Sequence, residues 1–204
     1  SLGNITMQRG IVLRSYGHEN KKVAILDEEL GHVEAFFSCA SAPHGSLLTY
    51  MLNATTSRKY RILQPNIIML PQDWARLDII FLHHMLELCS KFLPFNSKNS
   101  AVFLLLSQWY TLTGPFCYTE SFKKLFIAKF FLFIGWLPEP KQDQVMLMNL
   151  ISSPIDIMFE GELDRYSIAQ LDIWLEACIG LHPLAHCLKT VPFFLKAYNR
   201  DYER

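Results

Sequence analysis

The sequence predicts an α+β chain in two parts, a small β domain followed by an all-helical part. Three observations carry this prediction. Up to Leu70, apolar residues alternate with polar ones or run in short stretches rich in β-branched side chains. From Pro71 onward they recur at i+3 and i+4. Half of the 204 residues are hydrophobic and 19% are charged, a composition that supports a packed core and excludes a disordered chain.

The first part reads as five strands. Gly10 to Tyr16 is apolar and β-branched, and Gly17-His18-Glu19-Asn20 is a turn. Lys22 to Asp27 is the second strand. Glu29-Leu30-Gly31 turns again, with Gly31 free to take a positive φ. His32 to Phe37 alternates polar and apolar as a half-buried strand does, and Ala42-Pro43-His44-Gly45 interrupts the pattern. Ser46 to Ala54 and Lys59 to Leu70 supply the last two. Five short strands in about seventy residues fit a small closed barrel of the OB type, assigned here to residues 1–70.

The second part, residues 71–204, reads as a helical bundle. Pro71-Gln72-Asp73 opens a helix with proline and an acid in its first turn, and Pro94 ends it. Between them Leu77, Ile80, Phe81, Met85, Leu88, Cys89 and Phe92 keep helical spacing. Asn99-Ser100 caps a helix reaching Trp109 or Thr111. Thr119-Glu120-Ser121 opens another, with Phe122, Leu125, Phe126, Phe130 and Phe133 before Gly135. After the polar stretch Pro138 to Asp143, two closing helices are expected at Ile168–Ile179 and Leu188–Tyr198.

Bulk properties exclude several classes. Lys plus Arg and Asp plus Glu both number 19, so net charge is zero and a polybasic glue for nucleic acid or membrane is excluded. Five widely spaced cysteines without a CxxC predict reduced thiols and a cytoplasmic setting. The first ten residues lack the apolar core of a signal peptide. The uncharged stretch from Asn99 to Thr119 has spanning length. Gly114-Pro115 breaks it and Ser107, Gln108, Thr111 and Thr113 dilute it, so buried helices are expected and no membrane partner.

Three segments carry a family resemblance. Gly10-Ile-Val-Leu-Arg-Ser-Tyr-Gly17, with Lys22 to Gly31 and His32-Val-Glu-Ala35, resembles the opening of the bacterial DNA-repair protein RecO. Leu125 to Pro138, ending in Gly135-Trp136-Leu137-Pro138, is similar to a helix ending of that family. Leu175 to Gly180, with His182-Pro-Leu to Leu195, resembles its closing helices. The resemblance implies a recombination mediator, nucleoid-associated in the cytoplasm, that binds and anneals single- and double-stranded DNA. It implies RecR, the C-terminal tail of the single-stranded-DNA-binding protein and the RecA pathway as partners. Two departures mark a divergent member. Lys141 to Met148 holds no Cys or His where the family carries zinc-finger cysteines, and Ser38 to Gly45 lacks the family's basic loop.

Residues 1–70 hold seven basic and five acidic side chains. Arg14, Lys21, Lys22, Arg58, Lys59 and Arg61 are the expected DNA contacts, with Tyr16, Tyr50 and Tyr60 as stacking candidates. Lys123, Lys124 and Lys129 stand beside the apolar stripe of their helix and are candidates for an acidic partner tail. Cys178, His182, His186 and Cys187 are zinc-ligand types, but Gly180 and Pro183 interrupt the helix that would align them. Glu160-Gly161-Glu162-Leu163-Asp164 is read as a solvated acidic loop. No GxSxG, HExxH, P-loop or GxGxxG occurs, so no enzyme, catalytic residue, metal or cofactor is expected. The alternative to a mediator is a protein-interaction scaffold of the same ancestry with little DNA binding of its own.

Overall fold

A computed structural model describes residues 7–39, 41–55, 59–155 and 163–190. The chain divides into two compact units, Ser1–Ser107 and Gln108–Arg204.

The first unit holds the barrel. Strands β1 (Gln8–Tyr16), β2 (Lys22–Asp27), β3 (Gly31–Phe37), β4 (Leu47–Ala54) and β5 (Tyr60–Met69) close in the order β1-β2-β3-β5-β4. Among these five strands β3 and β5 pair in parallel and the other pairs are antiparallel. This is the OB-fold barrel expected of the five strand-like runs. Val12, Val23, Ile25, Val33, Ala35, Phe37, Leu48, Tyr50 and Ile62 fill its interior. Their positions on β2 and β3 follow the two-residue period of a strand, so Lys22, Glu34 and Phe36 face outward.

A bulge on β1 breaks that parity. The β1–β2 register shifts between Val12, opposite Ile25, and Arg14, opposite Ala24. Val12 points into the barrel and the extra residue turns Arg14 to the outer face.

Two glycines are required by close approaches. A Cβ on Gly10 would stand 2.2 Å from the Tyr50 hydroxyl. That hydroxyl donates to Asp27 Oδ2 at 2.6 Å, while Asp27 Oδ1 accepts the Glu29 and Leu30 amides at 2.8 and 2.9 Å. Three donors thus satisfy a carboxylate inside the barrel wall. Gly31 has φ 78°, and a Cβ there would meet the Ser97 carbonyl oxygen at 1.9 Å. The segment 93–98 lies against it: His32 Nδ1 donates to Leu93 O at 2.9 Å, and the Asn96 amide donates to His32 O at 2.8 Å.

The same unit carries α1 (Gln72–Leu77), α2 (Ile79–Phe92) and the start of α3 (Ser100–Thr111). The single helix expected from Pro71 to Pro94 is two. Asp78 leaves helical geometry at φ −152° and caps α2, its carboxylate accepting the Phe81 amide at 3.0 Å. Aspartate favours this role over a helix interior, and periodicity alone does not reveal the break. Asn99 Oδ1 caps α3 as expected, accepting the Val102 amide at 3.1 Å.

The second unit is helical, with α4 (Glu120–Phe133), α5 (Val145–Ser152) and α6 (Arg165–Gly180). Phe122, Leu125, Phe126, Phe130 and Phe131 of α4 are buried, as are Leu171 and Leu175 of α6. Thr119 caps α4, and Gly135, with φ 76°, follows its end. Asp164 caps α6 by accepting the Ser167 amide at 2.9 Å, which gives the end of the acidic cluster a structural task. Helix α5 was not foreseen, because eight residues are too few to display a period. Glu160 to Glu162 and most of the expected helix Leu188–Tyr198 lie outside the described residues, and residues 188–190 are not helical. Cys89, Cys117 and Cys178 are buried thiols whose pKa burial pushes up. Among the described residues no helix is long and apolar enough to cross a membrane.

Candidate nucleic-acid interface

Strand register builds a row across the outside of the barrel. Tyr16 pairs with Lys22, Lys22 with Phe36, and Phe36 with Arg61. Directly opposed residues share a face, so these four side chains stand side by side across β1, β2, β3 and β5. At the usual strand spacing the row spans about 14 Å. One step along the strands a second row runs Arg14, Ala24, Glu34.

The β1–β2 connection and the described ends of the β4–β5 connection, Thr55 and Lys59, flank this surface. Lys21 lies in the first, and Lys59 ends the second. In OB barrels the β2–β3 face and these two connections are where oligonucleotides are held.

Cations and rings interleave here. The Lys22 and Lys59 ammoniums lie 5.9 and 5.4 Å from the Phe36 ring centre, and the Arg14 guanidinium 5.1 Å from that of Tyr16. Exposed cation–π contacts of this kind contribute about 0.5–1 kcal/mol each. Stacking of a base on an aromatic ring contributes about 1–3 kcal/mol. A base can therefore replace an ammonium on Phe36, which frees that ammonium for a phosphate. Beside the ring, a cleft of about 520 Å³ is lined by Phe36, Phe37, Ser38, Thr55 and Arg61.

The expected contacts differ in availability. Arg14, Lys22 and Arg61 are exposed and make no ion pair among the described residues. Lys59 lies 3.8 Å from Glu34, and Lys21 is tied to Glu19. Arg58 lies outside the described residues.

The tyrosines separate sharply. Tyr16 is half-buried and donates its hydroxyl to Glu34 Oε1 at 2.8 Å. Burial, then the hydrogen bond to Glu34 and its charge, push the Tyr16 pKa up to about 12, so the phenol remains a donor. Tyr50 is fully buried in the barrel and bonded to Asp27, so it stacks on nothing from outside. Tyr60 packs half-buried against the barrel interior. Sequence reasoning passed over Phe36. Its place on the polar face of an alternating strand is the only local sign of it; the neighbour Lys22 that gives it meaning comes from strand register.

On α4 the three candidate lysines have different surroundings. Lys124 is buried and its ammonium sits 2.7 Å from Glu120 and 2.6 Å from Asp172, so it links α4 to α6. Lys123 is half-buried. Lys129 is only 2% exposed, with its ammonium 5.3 Å from the Phe133 ring centre, and burial pulls its pKa down.

Among the described residues no group of three or more His, Cys, Asp or Glu is placed to hold a metal ion. The Cys178 thiol instead donates to the Trp136 carbonyl at 3.2 Å, and the His182 ring lies against Trp136 at 5.3 Å. The chain matches no family model and no curated protein.

Proposed function

We propose that this chain is a RecO-like recombination mediator in DNA repair whose barrel holds single-stranded DNA on the row Tyr16, Lys22, Phe36 and Arg61. The observation that carries this reading is the interleaving of exposed cations with two aromatic rings along one register row, between the connections OB barrels use for oligonucleotides. The order of barrel then helices, and the three resembling segments, support the family assignment. In this reading bases rest on Phe36 and Tyr16, phosphates meet Arg14, Lys22, Lys59 and Arg61, and duplex DNA meets the same cations without stacking. Annealing follows when two strands are held with their pairing edges exposed. The helical part recruits RecR and the acidic tail of the single-stranded-DNA-binding protein and helps load RecA. Lys124 already holds two carboxylates and Lys129 is buried, so neither is open to such a tail.

Fluorescence anisotropy with a labelled single strand, read across a salt series, tests this. Binding that weakens steeply with salt, and is abolished by charge reversal of Lys22, Lys59 and Arg61, is expected. Absence of binding at low salt overturns the DNA contact.

Three observations favour the second reading, a scaffold with little DNA affinity. Glu34 stands among the cations of the face, Lys21 is tied to Glu19, and the loop Ser38–Gly45 supplies no positive charge. Capture of the acidic tail without measurable DNA binding would select it.

A further inference from the structure

Among the described residues Glu34 is the one carboxylate in contact with both the Tyr16 hydroxyl and the Lys59 ammonium. It projects from β3 on the outer side of the barrel, two residues before Phe36. Its Oε1 accepts the Tyr16 hydroxyl at 2.8 Å, and its Oε2 lies 3.8 Å from the Lys59 ammonium. Arg14 stands in the same cross-strand row. One O–H donor and one ammonium converging on two oxygens of an anion is also the arrangement that holds a phosphate diester.

We infer that Glu34 is a built-in competing anion: in the free protein it occupies the donors that a backbone phosphate takes when a single strand binds. The inference rests on the DNA-binding reading proposed above. Its physical content is an exchange. A phosphate that lands on Lys59 and Tyr16 displaces the carboxylate, and the carboxylate then repels it from nearby. Glu34 is 41% exposed, so water screens its hold on Lys59 and the competition is moderate. Binding is thereby held weak on bare electrostatics. A ligand that also stacks a base on Phe36 gains a contribution that Glu34 does not oppose.

The prediction runs against the usual expectation that replacing a contact residue weakens binding. Glu34→Gln keeps the shape and still accepts the Tyr16 hydroxyl, but loses the charge. It is expected to tighten binding of a fluorescein-labelled thymidine 15-mer by about fivefold at low salt, the scale of one exposed ion pair. Asp73→Asn, which removes an exposed carboxylate beside Arg76 on α1 and changes net charge equally, is the control and is expected to change affinity less than twofold. Glu34→Ala, checked for folding by circular dichroism, serves as the second variant and is expected to tighten binding as well. A gain confined to the Glu34 variants supports the inference, as does binding that only those variants show. If the wild type binds and the Glu34 variants are unchanged or weaker, the inference is overturned while the DNA reading stands. Equal gains from Glu34→Gln and Asp73→Asn reduce the effect to net charge and overturn it too. Absence of binding by wild type and variants alike overturns both.

Discussion

The outer face of the barrel and the inward side of α4 carry the same kinds of residue, lysines beside phenylalanines, and use them in opposite ways. On the barrel, Lys22 and Arg61 are exposed and make no ion pair among the described residues. On α4, Lys124 is buried between Glu120 and Asp172. The count of cations is similar, so composition does not separate the two places. Solvent and counter-charge do. A cation in water with no fixed partner can exchange small ions for phosphate. A cation already desolvated between two carboxylates holds helices together, and removing it strands the carboxylates.

The sharpest way to break this contrast is at Lys124. Lys124→Ala leaves Asp172 without its cation on a packed helix, and is expected to lower unfolding stability by about 2–4 kcal/mol in urea titration. Lys22→Ala on the barrel is expected to change stability by less than about 0.5 kcal/mol. Equal costs at the two sites would erase the distinction.

Acid limits where the barrel face can be used. His84 is fully buried, and burial pulls its pKa down to about 3, well below its unfolded value. His32 is shifted the same way by burial. A histidine with a depressed folded pKa stabilises the protein above its unfolded pKa of about 6.5 and loses that contribution as pH falls toward the folded value. From pH 7 to pH 5, His84 alone is expected to remove about 2 kcal/mol, read as a lowered urea midpoint. A flat profile over that window would mean that His84 is solvated.

Binding should isolate the ring from the charges. Phe36→Ala is expected to weaken single-strand binding by about 1–3 kcal/mol and duplex binding much less. Arg61→Ala is expected to weaken both, and to reduce the slope of log affinity against log salt for the single strand by about 0.7. If Phe36→Ala affects duplex and single strand equally, the ring shapes the face and does not stack.

The barrel was legible in the sequence because strand parity and turn glycines are local signals. Lys22 to Asp27 matched its strand residue for residue, and Gly31 turned where its positive φ is required. The break at Asp78 was harder to see, because both sides of it keep helical apolar spacing. Of the site, the cations at Arg14, Lys22, Lys59 and Arg61 were readable as charges on a β domain. Phe36 and Glu34 were not, since each is ordinary in its own strand and acquires meaning only from its cross-strand neighbour. Tyr50 shows the converse. Its residue type suited stacking, and the fold placed it inside.

By itself, then, the sequence determined the five strands, the change to helices after Leu70 and the stock of charges. Those follow from periodicity and turn chemistry, which act over a few residues. Tertiary structure alone decided which charges share a face. The β1 bulge turned Arg14 outward, and the register of β1, β2, β3 and β5 drew Tyr16, Lys22, Phe36 and Arg61 into one row. The packing of α4 on α6 engaged Lys124. Pairing and burial are contacts between residues distant in the chain, and they set whether a lysine is open to a ligand or committed to the core.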